Sequence, residues 1–197
     1  MGTFFCWRPS AAAVAAVLFV LAVKPAHSEM YEFDKKRTEV RFTYEMGPAT
    51  QHGRFSQVTG TLQFDEHAPW RSRVSATIAT ASLETGQPIV DDALKGSDFF
   101  NVTADPTMTF KSRSVRSTGT DTAEMTGDIT VKGITKPVTL EVSLHPRNDP
   151  ALKYSAGSRK FVATTKIRRS AFNMTAYSSM VGDEVSIEID AIVRKKS

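Results

Sequence analysis

The feature that most constrains this chain is a repeated alternation of apolar and polar residues. The stretch VRFTYEM at 40–46 alternates strictly, and so does VSIEIDA at 185–191. Successive side chains of a β-strand point to opposite faces, so each stretch predicts a strand with one buried and one solvated face. The same period of two recurs at residues 62–64, 74–78, 108–110, 125–131, 138–144 and 161–167. The chain is therefore predicted to be all-β.

Turn-forming residues separate these stretches, among them Gly47-Pro48, Ala68-Pro69, Gly133 and Gly182-Asp183. About eight half-buried antiparallel strands with one core face fit either a β-barrel or a β-sandwich, and the alternation alone does not choose between them. A closed barrel has no exposed edges and can hold one slender ligand.

The residues predicted to face inward are informative about the interior. They mix Phe and Met with small residues such as Ala76, Gly127 and Ala163, and almost none is charged. Small inward residues leave volume, and apolar ones keep that volume dry.

Residues 1–28 predict a secretory signal peptide. They combine a weakly basic start, an apolar run at 11–23 and small residues at 26–28. The run is shorter than the roughly 20 residues that cross a bilayer, so we expect cleavage, secretion and no stable membrane insertion. The only cysteine, Cys6, lies within this peptide. Residues 29–197 (197 − 28 = 169 residues) are then expected to form one domain.

Charge argues against a nucleic-acid partner. The full chain carries +4, and loss of Arg8 and Lys24 with the peptide leaves 4 − 2 = +2. The short basic clusters at 168–169 and 194–196 lack interleaved aromatic residues, which nucleic-acid binding favours. We interpret both clusters as solvated strand ends.

The segment DDALKGSDFFN at 91–101 breaks the alternation. Pro88 offers a helix start, the two aspartates suit a first helical turn, and Gly96 offers a stop. These signals predict a short helical insertion near residues 89–95. If the chain after it is extended, Phe99 and Phe100 point to opposite sides, one into the interior and one beneath the helix. The segment either contacts a ligand or only plugs one end of a barrel.

The sequence contains few features that indicate an enzyme. His52, His67 and His145 are scattered without metal-ligand spacing, so no metal site is predicted. The chain outside the predicted peptide has no thiol, and no nucleophile elbow or glycine-rich phosphate loop occurs. We interpret the acidic pair at 91–92 as helix capping and the pair at 183–184 as a solvated turn. No catalytic residue and no cofactor are predicted.

Short ordered motifs are spread over nearly the whole expected domain. They are residues 31–34 (YEFD), 40–42 (VRF), 53–55 (GRF) followed by Gly60, 82–85 (SLET), 92–94 with 97–100 (SDFF), 106–110 with Ser112, 127–138 (GDITVKGITKPV), 167–172 (IRRSAF) and 181–185 (VGDEV). In these motifs, from Tyr31 to Val193, the chain resembles the YceI-like family of bacterial periplasmic proteins.

The resemblance implies a single lipocalin-like antiparallel barrel of about eight strands with a short helical insertion near residues 89–95. It also implies a tunnel that binds or carries a polyisoprenoid or similar lipid tail, quinone tails included, without transforming it. Many members have histidines where this chain has Arg37-Thr38 and Glu45-Met46, so no histidine role carries over.

We therefore predict a periplasmic lipid-binding barrel, with no nucleic-acid partner and with only transient membrane contact. Homodimerisation remains open. The alternative hypothesis is a non-lipid interaction or stress-response module that uses the polar barrel exterior. The residues predicted to line the tunnel are Val40, Phe42, Tyr44, Leu62, Phe64, Ile78, Leu94, Phe99, Phe100, Met108, Phe110, Ile129, Leu140, Val142, Phe161, Ile167, Phe172 and Met174.

Overall fold

The structure is a computed structural model that describes Gly2 and residues 28–153 and 157–196. The predicted signal peptide lies almost entirely outside these residues and stays a prediction. The strands are β1 (Glu29–Phe33), β2 (Glu39–Met46), β3 (Ala49–Phe55), β4 (Val58–Phe64), β5 (Arg73–Ala79), β6 (Leu83–Glu84), β7 (Thr107–Ser117), β8 (Thr122–Val131), β9 (Ile134–Leu144), β10 (Ser158–Arg168) and β11 (Val181–Lys195). The α-helix is α1 (Pro88–Lys95), and short 3-10 helices cover Pro69–Arg71, Thr80–Ser82, Pro150–Leu152 and Arg169–Phe172.

The strands close into an antiparallel barrel. Hydrogen bonds join β1, β4, β5, β7, β8, β9, β10 and β11 in that order, and β1 pairs with β11 to complete the ring. The remaining strands continue three of these eight positions: β2 follows β1 along β11, β3 pairs with β2, and β6 pairs with β3. The predicted eight-stranded barrel is confirmed, with three of its positions broken into two segments each.

The break between β1 and β2 is held by a side chain. Phe33 pairs with Val193, and Val40 pairs with Ile189, so residues 34–38 bulge away from β11. The buried Thr38 hydroxyl donates to the Ile192 carbonyl over 3.0 Å and accepts from the Ile192 amide over 3.2 Å. The threonine thus pairs backbone groups that an uninterrupted ladder would have paired.

All the strands predicted from alternation are present, but the prediction for Gly182-Asp183 was wrong. These residues lie inside β11, and the register shifts between Val181 and Val185, which is a β-bulge rather than a turn. The Asp183 carboxylate accepts hydrogen bonds from the amide and the hydroxyl of Ser170, both at 2.9 Å. Those bonds hold the pKa of Asp183 below its ordinary value.

The helical insertion is confirmed as α1, which begins at Pro88 and ends before Gly96. Asp91 acts differently from the predicted cap, because its carboxylate accepts from the amide and the hydroxyl of Thr85 at 2.7 and 2.6 Å. These bonds tie α1 to the chain just after β6, and they lower the pKa of Asp91.

The chain after α1 is not extended, so the condition for Phe99 and Phe100 to point to opposite sides is not met. Residues 97–100 form turns, in which the Phe99 amide donates to the Gly96 carbonyl and the Phe100 amide to the Leu94 carbonyl. Turns do not alternate side chains between two faces, so the two phenylalanines are not forced to opposite sides.

The barrel core has three apolar layers along its axis. The layer beside α1 includes Phe42, Phe55 and Leu83, the middle layer includes Phe110 and Leu140, and the layer at the opposite end contains Tyr31, Leu62 and Val193. Close approach in the first layer requires a glycine, because a methyl group at Gly53 would overlap the ring of its cross-strand partner Phe42.

Candidate ligand cavity

A cavity of about 500 Å³ runs through the barrel interior. This volume lies within the range of roughly 300–1,000 Å³ that is typical of ligand pockets. The lining is dominated by the inward aliphatic and aromatic side chains of the strands, and among the described residues its charged members are Glu66, Asp121 and Arg169. Such a wall can solvate an apolar chain but offers few partners to a polar one.

Every predicted tunnel residue except Phe172 lines this cavity. Beside α1 these are Val40, Phe42, Tyr44, Ile78, Leu94, Phe99, Phe100, Met108, Ile129, Ile167 and Met174; further along are Phe110, Leu140, Val142, Leu62, Phe64 and Phe161. Phe172 is 2% exposed and packs in the core beside α1 without lining the cavity. Ligand contact by the lining residues remains a prediction.

Sequence reasoning missed several lining residues on strands with a weak pattern. Phe33 and Phe55 line the cavity from β1 and β3, which the alternation did not predict, and Val115 extends β7 beyond its predicted length. Residues 108 and 110 face inward, so unbroken alternation would place even-numbered residues, and not Val115, on the inward face. Val115 faces inward because the register between β7 and β8 is irregular between Ser112 and Ser114. That irregularity shifts the inward face from even to odd numbers.

The end beside α1 is closed by aromatic packing. Phe100 meets Phe55 edge-to-face with ring centroids 5.2 Å apart, and Phe99 stacks on Tyr177 at 6.2 Å. Leu94 of α1 is buried and lines the cavity with both phenylalanines. The helical insertion therefore plugs this end and also forms part of the cavity wall.

Arg169 holds the second segment that closes this end. Its Nε donates to the Gly182 carbonyl, its Nη1 to those of Met174 and Ala176, and its Nη2 to that of Val181, over 2.6–2.9 Å. The residue is 5% exposed, so our interpretation of Arg168-Arg169 as a solvated strand end was wrong for Arg169. No sequence pattern indicates that backbone carbonyls 5 to 13 residues away surround the guanidinium.

The opposite end reaches solvent. The lining residues that are exposed are Glu66, Ser117, Thr120, Asp121 and Thr122, all in or next to the β4–β5 and β7–β8 connections. These connections lie at the end of the barrel away from α1. We call this end the mouth of the cavity.

Other features bear on alternative sites. Within residues 28–153 and 157–196, no group of three or more His, Cys, Asp and Glu side chains is placed to hold a metal ion. No helix in the same part of the chain is long and apolar enough to cross a membrane.

Burial raises the pKa of Tyr44 in the cavity wall, so its hydroxyl stays neutral at physiological pH.

A closed eight-stranded antiparallel barrel around an apolar cavity, plugged at one end by a short helix, defines the class of lipocalin-like barrels. Within that class the chain belongs to the YceI-like domain family, whose model matches residues 31–193. It is 35% identical over 162 residues to Protein YceI of Shigella flexneri, covering 81% of this chain and 83% of that protein. It is 36% identical over 149 residues to a UPF0312 protein of Ectopseudomonas mendocina, covering 74% and 76%.

Solved structures share the fold. The crystal structure of Burkholderia cenocepacia BcnA superposes with a TM-score of 0.73 at 25% identity, over 81% of this chain and 98% of that one. A polyisoprenoid binding domain from Saccharophagus degradans, implicated in plant cell wall breakdown, superposes with a TM-score of 0.66 at 11% identity, over 84% and 98%. The latter likeness establishes common architecture only.

Proposed function

We propose that this protein is a periplasmic binding or carrier protein that holds a polyisoprenoid or similar long-chain lipid inside its barrel without transforming it. The observation that carries the proposal is the apolar cavity, which is plugged beside α1 and open at the mouth. The polyisoprenoid binding domain of Saccharophagus degradans, which has the same architecture, supports this class of ligand. The predicted signal peptide supports the location.

The energetics of such binding need few polar contacts. Each buried methylene contributes about 0.8 kcal/mol, so one isoprene unit contributes on the order of 3 kcal/mol before ordering costs. Affinity would then follow the length of tail that the cavity accepts. Polar groups at the mouth would select the head group.

The positions of the charged residues in the cavity wall support binding of the lipid without a chemical reaction. Arg169 is at the plugged end, with its donors engaged by backbone carbonyls, and Glu66 and Asp121 are at the mouth. The wall between them is apolar apart from uncharged groups such as the Tyr44 and Thr165 hydroxyls. A lipid tail there would meet packing surfaces rather than acid, base or nucleophile.

A tail-length series tests the proposal. The delipidated protein is titrated with geraniol, farnesol, geranylgeraniol and solanesol, which share a hydroxyl head and differ in isoprene number. We expect affinity to rise at least tenfold per added unit, because each unit buries more apolar surface, and then to level off when the cavity is full. Equal affinities across the series, or no binding, would contradict the proposal.

A further inference from the structure

Arg159 occupies an unusual position near the mouth. In β10 it falls on the same face as Phe161 and Ala163, which line the cavity, and its cross-strand partner is the cavity-lining Val193. Val193 in turn pairs with Phe33, another lining residue. A guanidinium therefore belongs to an otherwise apolar inward layer, and Arg159 is only 3% exposed.

The hydrogen-bonding capacity of Arg159 is incompletely used. Its Nη2 donates to Oε2 of Glu66 over 3.0 Å, while its Nε is buried without a partner. A buried donor without an acceptor costs free energy, and an unpaired part of a buried charge costs more. Arg159 does not itself line the cavity, so a further acceptor would reach its unpaired donor at the mouth, at the place where Glu66 lines the cavity.

Glu66 is the acceptor that links this arginine to the mouth. Its Oε2 also accepts from Nη2 of Arg147 over 3.1 Å, so one carboxylate serves two guanidinium groups. The Glu66 side chain is 49% exposed and lines the cavity mouth. A half-exposed side chain can move aside at little cost, whereas the buried Arg159 cannot.

Further charges around this cluster are paired with one another. Lys195 donates to Glu29 over 2.6 Å, and the Tyr31 hydroxyl donates to the other oxygen of Glu29 over 2.6 Å. Burial and this bond raise the pKa of Tyr31 above its ordinary value, so the hydroxyl remains a neutral donor. Asp121 is the other acidic residue of the mouth, and it lies at the β7–β8 turn.

We propose that Arg159, assisted by Arg147, recognises an oxyanion head group on the lipid whose tail fills the cavity. This inference rests on the proposed function and specifies its ligand as an apolar chain that ends in a phosphate or a carboxylate. The planar fork of an arginine pairs with both groups through parallel hydrogen bonds.

The head group would take the place that the Glu66 carboxylate occupies beside Arg159. Binding exchanges one carboxylate for another oxyanion, and the displaced Glu66 gains water at the exposed mouth. The incoming head group can also accept from Nε of Arg159, which Glu66 leaves unpaired. This additional bond favours the ligand over the internal carboxylate.

Three chain-matched probes test the inference: geranylgeraniol, geranylgeranoic acid and geranylgeranyl phosphate, each titrated into the delipidated full chain at fixed ionic strength. We expect one or both anionic probes to bind at least tenfold more tightly than the alcohol, and their order identifies the head group. Arg159→Gln should remove this preference, so that the anionic probes bind the variant no more tightly than the alcohol binds the same variant. The alcohol therefore controls for folding and for the cavity.

The variant Glu66→Gln distinguishes head-group recognition by Arg159 from a purely structural role of that arginine. If Glu66 competes with the head group, its neutralisation should raise the affinity for the anionic probes severalfold relative to the affinity of the same variant for the alcohol. If Arg159 serves only to bind Glu66, the same variant should not improve anion binding, and that result would overturn the inference. Equal binding of all three probes to the unmodified protein would overturn it too, whereas binding of none would refute the proposed function itself.

Discussion

Replacing Ala163 with phenylalanine is expected to reduce affinity for a long isoprenoid at least 100-fold while the barrel stays folded. Ala163 is 8% exposed, lines the cavity and belongs to the middle apolar layer with Phe110 and Leu140. A ring at this position would enter the open volume and exclude about one isoprene unit, which corresponds to roughly 3 kcal/mol of lost burial. Titration with geranylgeraniol measures the effect.

The matched control is Thr164→Phe, one residue along the same strand. Thr164 is exposed on the outer face of β10, so its replacement adds the same ring without entering the cavity. We expect its affinity for the alcohol to stay within twofold of the unmodified protein. Retained binding in Ala163→Phe, with a melting temperature that shows an intact barrel, would mean that the tail does not pass through the middle layer.

Arg169→Lys is expected to lower the free energy of unfolding by about 3 kcal/mol, a large effect for a substitution that keeps the charge. The guanidinium of Arg169 donates to four carbonyls that lie in different directions. A lysine ammonium is a single point with three donors, so at least one buried carbonyl would lose its partner. Urea denaturation followed by circular dichroism gives the value.

The neighbouring residue supplies the comparison for this stability measurement. Arg168 is exposed, so Arg168→Lys should change the free energy of unfolding by less than about 0.5 kcal/mol. We also expect Arg169→Lys to weaken lipid retention, because the 174–182 segment that it anchors closes the plugged end. Equal stabilities of the two lysine variants would show that the carbonyl cluster contributes little to folding.

Alternation in the sequence was sufficient to predict the strands, because it reports directly which side chains are buried. Strands such as β2 and β8 have one apolar and one polar face, a pattern that a barrel and a sandwich share, so the choice of a barrel came from the resemblance to the YceI-like family. Because alternation reports burial, parity along strands predicted most of the cavity wall, including Phe42, Leu140 and Phe161.

Features that depend on partners far away in the chain were not predictable in this way. In the sequence Arg169 has the context of a surface cation, because its acceptors are backbone carbonyls, which no side-chain pattern reveals. In the sequence Arg159 is one polar residue before an apolar run. Only its cross-strand pairing with Val193 shows that it lies on the inward face. The bulge at residues 182–184 has the composition of a turn, and only pairing with β2 distinguishes the two.

Arg37, Thr38 and Glu45 each have a partner outside the cavity. Thr38 closes the gap between β1 and β2 through the Ile192 backbone, and Arg37 donates to Asp34 over 3.0 Å. Glu45 accepts from the Thr50 hydroxyl over 2.7 Å across the β2–β3 hairpin. None of these three residues lines the cavity.

Native mass spectrometry of the protein purified from its own organism, followed by solvent extraction and identification of what is released, tests directly whether the barrel carries a lipid. We expect a bound species whose variants differ by whole isoprene units, carried by the folded protein. A clean ligand-free mass, from a protein that also takes up no quinone or polyprenol in titration, would contradict this expectation.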